Sequence, residues 1–129
     1  MDWEHACFGH AVTDLDWLLG DEWLPDWPER EERLITSRLD QMAPSLAAHG
    51  GADYFWLYGT LHGLMRLAMI LALRGGGPWW DAEVCLEHDL RGVTAECAGR
   101  ICRRAARWAA RSNLCADFVP WIEDVAAVL

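Results

Sequence analysis

Apolar residues recur along this chain at helical spacing, in segments separated by glycine and proline. Ile35, Leu39 and Met42 lie four and three residues apart, and with the adjacent Leu34 they form a pattern typical of one face of an amphipathic helix. No segment alternates strictly between apolar and polar residues, so no strand is predicted. The pattern predicts an all-α protein, a single compact bundle of five or six helices that takes in residues 1–129 as one helical domain.

Capping residues and helix breakers set the expected bounds of these helices. Thr13 and Thr94 are candidate N-caps, Asp26 and Glu29 have capping-box spacing, and Pro44 should break or kink the second helix. The helices are expected at about 14–19, 28–42, 53–73, 79–90, 94–112 and 117–129. The segments 79–90 and 94–112 are also compatible with one long bent helix.

The segment 53–73 is apolar on nearly every side, with Asp53 as its candidate cap. Such a helix is either the buried centre of a bundle or a membrane span. His62 and Arg66 would make insertion into a bilayer costly. We therefore expect this helix to be the buried centre of the bundle, with no membrane as a partner.

The composition is tryptophan-rich and acidic. Nine Trp occur in 129 residues, every basic residue is Arg, and the formal net charge is −9. Large aromatic side chains supply core area or anchor interfaces. An acidic surface repels nucleic acid and anionic membranes, so generic binding to either is disfavoured.

Opposite charges are segregated along the chain, with ten acidic residues and the single Arg30 in residues 1–32. Carboxylates that steer an encounter and Trp side chains that anchor it are typical of docking onto a basic protein. We call this candidate partner-binding set the acidic–aromatic segment: Asp14, Asp16, Trp17, Asp21, Glu22, Trp23, Asp26 and Trp27. The other interpretation is a solubilising surface with its Trp side chains turned inward.

Residues 100–111 hold five Arg and no acid. At about 100° per residue they fall within an arc of about 100°, which predicts a basic ridge along a helix. We call this candidate anion- or partner-binding set the arginine stripe: Arg100, Arg103, Arg104, Arg107 and Arg111. Guanidinium groups bind phosphates and carboxylates, so the stripe could contact a nucleic-acid backbone or be neutralised by the acids of residues 1–32.

Five Cys, an odd number without Cys-x-x-Cys, favour free thiols in a reducing compartment. The acidic start of the chain lacks the basic region of a secretion signal, so a cytoplasmic location is expected. Two Cys-x-x-His pairs, Cys7 with His10 and Cys85 with His88, could close a zinc site, although buried free Cys is the commoner outcome. No cofactor is predicted.

No phosphate-binding loop or nucleophile motif occurs, so a non-enzymatic function is favoured. The leading hypothesis is a protein-binding module that inhibits or regulates a basic, nucleic-acid-handling protein, as immunity proteins, antitoxins and anti-defence proteins do. The alternative is a subunit of a nucleoprotein complex whose arginine stripe contacts the nucleic-acid backbone. A second alternative is a small metal-dependent helical enzyme.

Overall fold

The computed structural model describes residues 11–47 and 50–129. These residues form six α-helices and no strand, which confirms the prediction of an all-α bundle. The helices are α1 (Ala11–Leu19), α2 (Pro28–Leu46), α3 (Asp53–Arg74), α4 (Ala82–Glu87), α5 (Ala95–Ala109) and α6 (Val119–Ala127), and a 3-10 turn at Ala116–Phe118 leads into α6.

The helices pack around α3, as expected for segment 53–73. α5 packs most extensively on α3, α1 lies along its flank, and α6 packs on α5. Leu67 and Ile70 join α5 and Ile122 in one cluster of buried side chains. Phe55 and Trp56 join α1, α2 and Trp108 in a second cluster. Both clusters therefore use α3, and they cover the side of it that faces α1, α2 and α5.

The opposite side of α3 remains uncovered, which corrects the expectation of a helix buried all round. Leu61, Met65, Met69 and Leu73 are all at least 40% exposed. By length and composition α3 is the one helix among the described residues that could cross a membrane, a test that core helices also pass. Its buried side carries His62, which binds Asp16 of α1, and Arg66, which binds the carbonyl of Gly20 just after α1.

One predicted helix start is confirmed, and several other helix boundaries differ from the sequence prediction for identifiable reasons. Thr94 caps α5 as predicted, since its Oγ1 accepts a hydrogen bond from Cys97 N. Asp26 forms no capping box, because its carboxylate binds arginines of α5 instead. Pro44 lies within α2, which ends two residues later at Leu46. Asp81 accepts hydrogen bonds from two backbone N–H groups, so α4 begins at Ala82 rather than near 79.

Two other predicted caps are wrong. Thr13 lies inside α1, which extends from Ala11. Asp53 is the first residue of α3, after Ala52 at the cap position. Asp53 instead uses its carboxylate to accept a hydrogen bond from Asn113 N, which ties the start of α3 to the turn after α5.

Candidate functional site

The arginine stripe lies along the interface between α5 and residues 21–32. Arg103 Nε contacts Asp26 Oδ2 at 3.0 Å, Arg107 Nη2 contacts Asp26 Oδ1 at 2.7 Å, and Arg111 pairs with Glu32. Arg100 pairs with Glu96 of its own helix and donates to the carbonyl of Trp23. Of the two interpretations left open by the sequence, these contacts agree with neutralisation of the stripe by the early acids, although Arg103 and Arg111 keep about half of their side chains exposed.

Glu31 is the most highly connected carboxylate of this interface. It accepts hydrogen bonds from Arg104 Nε at 3.1 Å, from Trp108 Nε1 at 2.8 Å and from Arg107 at 3.4 Å. Arg104 and Glu31 are both almost completely buried. Arg104 also donates to the backbone carbonyls of Asp21 and Leu24. A buried ion pair with its hydrogen bonds satisfied fixes geometry, so these contacts hold the 21–27 loop against α5.

Asp26 lies between two arginines at the edge of the same interface. Burial by itself raises the pKa of this carboxyl. The hydrogen bonds and positive charges of Arg107 and Arg103 outweigh burial, so the pKa of Asp26 lies below its ordinary value of 3.8. Asp26 is therefore ionised at neutral pH and forms part of the interface.

A second set of charged side chains lies buried between α1 and α3. His62 Nδ1 is hydrogen-bonded to Asp16 Oδ2, and His62 Nε2 accepts a hydrogen bond from Arg66 Nε at 3.4 Å. Arg66 Nη1 also donates to Glu22 Oε2 at 3.2 Å and to the carbonyl of Gly20. Both nitrogens of the His62 ring are thus engaged, and the residue is 5% exposed. This arrangement offers no ring nitrogen for proton transfer to a substrate, so we interpret it as structural.

Trp17 lies over this buried network. Its ring centroid is 4.5 Å from that of His62, and the Arg66 guanidinium lies 4.9 Å from the Trp17 ring. The side chain of Trp17 is half exposed. Asp16 Oδ1 of the same network is buried and receives no hydrogen bond from the described residues. One tryptophan of the acidic–aromatic segment therefore shields buried charges from water.

The structure divides the acidic–aromatic segment rather than presenting it as one surface. Asp16 and Glu22 are buried, and Asp26 binds the arginine stripe. Asp21 Oδ1 accepts a hydrogen bond from Trp23 N, which closes a local turn. The remaining members, Asp14, Trp17 and Trp27, are exposed, and Arg30 lies over the Trp27 ring. Asp16, Glu22 and Asp26 are therefore engaged within the fold, whereas partner binding by the exposed members stays a prediction.

An exposed surface of the predicted chemistry occurs instead at the C-terminal end of the chain. We call it the C-terminal patch and define it as Asp117, Phe118, Trp121 and Asp124. Trp121 and Asp124 lie three residues apart on one face of α6, Asp117 and Phe118 belong to the 3-10 turn that leads into it, and all four side chains are exposed. Neither carboxylate forms an ion pair with any described residue. Sequence reasoning missed the patch, although residues 112–129 contain three acids and no base.

The thiols and candidate metal ligands do not converge within the described residues. Cys85, Cys97, Cys102 and Cys115 are free and buried. Burial raises the pKa of Cys97 and of Cys102. No group of three or more His, Cys, Asp or Glu among the described residues could hold a metal ion. His88 is exposed while Cys85 is buried, and Cys7 and His10 lie outside the described residues, so the zinc site stays a prediction.

Comparison with known proteins gives no relative from which a function could be inferred. No protein-family model, curated protein or solved structure matches this chain.

Proposed function

We propose that this chain is a non-enzymatic binding module for a basic protein, which it contacts through the C-terminal patch. The observation that carries the proposal is a difference between two groups of carboxylates. Those at Asp26, Glu31 and Glu32 are taken up by the arginine stripe. Those at Asp117 and Asp124 face solvent beside two large aromatic rings.

The patch has the chemistry of an interaction site for a cationic partner. Phe118 and Trp121 each expose more than half of their surface, although aromatic side chains of this size usually bury most of theirs. The adjacent carboxylates are part of the net charge of −9, and this negative charge accelerates encounters with a positively charged protein. Inhibition or regulation of a nucleic-acid-handling protein, as by an immunity protein, antitoxin or anti-defence protein, fits this surface.

The alternative of a nucleoprotein subunit has less support. Each arginine of the stripe already pairs with a carboxylate, and Arg104 is buried. A phosphate backbone on the stripe would compete with Asp26 and Glu32 for Arg103, Arg107 and Arg111, and these pairs hold residues 21–32 against α5. The metal-dependent enzyme likewise lacks a site among the described residues that gathers three ligands.

Affinity capture from lysate of the native host tests the proposal. The bait is the full chain, compared with a double variant, Trp121→Ser with Asp124→Arg, and with a matched control, Leu34→Ser with Asp40→Arg. The control alters an equally exposed pair on α2. We expect basic proteins to be retained by the wild type and the control, to be lost from the patch variant, and to elute with salt.

Two results would overturn the proposal. One is equal retention of the same proteins by the patch variant. The other is retardation of a short DNA or RNA duplex by the wild-type chain in a gel-shift assay, which would favour the nucleoprotein alternative.

A further inference from the structure

A small cavity lies between the end of α1, the loop 21–27 and the start of α2. Its volume is about 220 Å³. Six of its eight lining residues are apolar, namely Leu18, Leu19, Leu24, Pro25, Trp27 and Leu34. Leu18 is 64% exposed, Leu34 is 50% exposed and Trp27 is 48% exposed. Three large apolar side chains that meet water around one concavity mark a binding site more strongly than the same side chains scattered singly.

The sequence places both walls of the cavity. Trp27 at the cap position of α2 is followed at three, four and seven residues by Arg30, Glu31 and Leu34. This spacing puts the four side chains on one side of the helix. Leu18 and Leu19 end α1 on the opposite side, and Leu24 and Pro25 of the loop close the cavity between the two helices. We call these eight lining residues the α1–α2 cavity.

The walls of the α1–α2 cavity are held by one buried guanidinium. Arg104 donates to the backbone carbonyls of Asp21 at 3.0 Å and Leu24 at 3.2 Å, which fixes the loop wall. The same side chain donates to Glu31 of the α2 wall at 3.1 Å. A ligand therefore meets a cavity that is already formed, and its binding does not have to order a loop.

The two charged residues that line the cavity differ in what they have left to bind. The carboxylate of Glu31 is taken up by Arg104, Arg107 and an indole N–H, so its charge is neutralised. Arg30 is exposed, and its guanidinium lies 5.5 Å from the ring centroid of Trp27. Within the described part of the chain it forms no hydrogen bond or ion pair. The cavity thus joins an apolar lining to one uncompensated positive charge.

That combination selects the ligand class. An unpaired guanidinium offers two parallel N–H donors to a carboxylate, whereas it repels an ammonium group. The second cavity of similar size, about 240 Å³ between α2, α3 and α5, lacks this feature, because its Arg107 and Arg111 already pair with carboxylates. A volume of about 220 Å³ is also below that of sites for drug-sized ligands, so a molecule of about ten non-hydrogen atoms fits.

We propose that the α1–α2 cavity binds a small monocarboxylate with a hydrocarbon body of about eight carbons. The hydrocarbon displaces water from the leucine-lined walls, and the carboxylate pairs with Arg30. The inference goes beyond the proposed function, since this cavity and the C-terminal patch are formed by different helices.

Isothermal titration calorimetry with three eight-carbon probes tests the site and its charge preference. Octanoate should bind the wild-type chain at pH 7, and octylammonium should bind at least about tenfold more weakly because it faces Arg30 with the same charge. Arg30→Gln should raise the octanoate dissociation constant by about tenfold, the loss of one charge-assisted hydrogen-bonded pair, and should change that of octan-1-ol by less than about twofold.

Matched variants locate the binding. Arg33→Gln removes an exposed arginine of α2 that does not line the cavity and should leave octanoate binding unchanged. Leu18→Ser should weaken octanoate and octan-1-ol alike, whereas Leu86→Ser, at a similarly exposed leucine of α4, should weaken neither. Circular dichroism confirms that each variant is folded.

Three results would overturn the proposal. The first is the absence of octanoate binding to the wild type below its micellar concentration. The second is equal binding of octanoate and octylammonium, or an unchanged octanoate affinity in Arg30→Gln, since either shows that Arg30 does not select the ligand. The third is full octanoate affinity in Leu18→Ser, which places the ligand elsewhere on the molecule.

Discussion

Glu31 shows at the scale of a single residue how the arginine stripe is neutralised. In sequence it lies in a run of charged residues between Glu29 and Arg33, which is typical of a solvated helix face. In the structure it is 6% exposed and accepts hydrogen bonds from Arg104 and Trp108. The charge asymmetry of the sequence predicted attraction between the two ends as one of two possibilities. The pattern could not identify Glu31 as the buried partner, because its neighbours Glu29 and Glu32 carry the same charge.

Asp26 provides a pH-dependent prediction at the same scale. The arginines beside it lower the pKa of its carboxyl in the folded state below the ordinary value of 3.8. A lowered folded-state pKa contributes stability that is present above the unfolded pKa and is lost as the pH falls through the folded pKa. Asp26→Asn should therefore reduce the free energy of unfolding by about 1 kcal/mol at pH 7, a value discounted for solvent screening.

Urea unfolding of Asp26→Asn and wild type between pH 7 and pH 3 measures this difference. The difference between the two stability curves should begin to shrink as the pH falls below about 4, where the unfolded carboxyl becomes protonated, and should disappear below the lowered pKa of folded Asp26. The control is Asp40→Asn on the exposed face of α2, which should follow the wild-type curve at every pH. An Asp26→Asn curve that stays parallel to wild type throughout this range would contradict the assignment.

At the scale of the element, local sequence signals predicted which segments are helical, but they predicted only some of the residues at which the helices begin and end. The expected helix at 53–73 agrees with α3 to one residue, because its apolar run ends at Gly75, which adopts a left-handed conformation with φ of 60°. Thr94 was identified because Thr is favoured at the N-cap, but the same preference also chose Thr13, which lies inside α1. Asp26 and Asp53 failed as caps since each binds a group distant in sequence, on α5 or in the turn after it. A capping carboxylate that is taken up by a group distant in sequence cannot be recognised from the residues next to it.

The crossing of α3 and α5 depends on the absence of a side chain at Gly59. A Cβ built there would lie 2.5 Å from Trp108 Cε3, whereas one at Gly63 would lie at an ordinary 3.6 Å from the Cβ of Ala105. Gly59→Ala should therefore destabilise the protein by about 1–3 kcal/mol, because the ring of Trp108 is buried and bonded to Glu31. Gly63→Ala should instead be neutral or stabilise it by up to about 1 kcal/mol through helix propensity.

Thermal and urea unfolding of the two glycine variants test this prediction directly. The substitutions are chemically identical and lie one helical turn apart, so intrinsic propensity cancels in the comparison. A similar stability for both would show that α3 and α5 can separate slightly without loss, so that the close approach of Gly59 to Trp108 is not required for stability.

At the scale of the whole molecule, charge segregation in the sequence becomes neutralisation inside the fold. Residues 21–32 and α5 carry most of the opposing charges, and their pairing leaves the excess of negative charge on other surfaces. The sequence singled out the chemistry of a candidate site, acids beside tryptophans, but assigned it to residues 14–27. The C-terminal patch has the same chemistry, and within the described residues neither of its carboxylates pairs with an arginine. Only three-dimensional pairing distinguishes a carboxylate that is used in folding from one that is available to a partner.

Buried thiols provide a measure of how cooperatively this molecule opens. Cys97 and Cys102 are inaccessible in the packed interior between α5 and its neighbours, and burial raises the pKa of each thiol. Because the thiolate is the reactive form, both effects slow alkylation. We expect iodoacetamide at pH 8 to modify the two residues only through unfolding, with a rate that rises with urea as global unfolding does.

Peptide mass spectrometry after timed alkylation follows each cysteine separately. Leu86→Cys supplies an internal standard, since the side chain at this position on α4 is 59% exposed and its thiol should react within minutes. Equal slow rates at Cys97 and Cys102 would mean that α5 is released only when the two core clusters unfold together. Alkylation of Cys97 as fast as that of the standard would instead show that the loop at Gly92 and Val93 opens independently, and that the contact of Glu22 with this loop does not hold it closed.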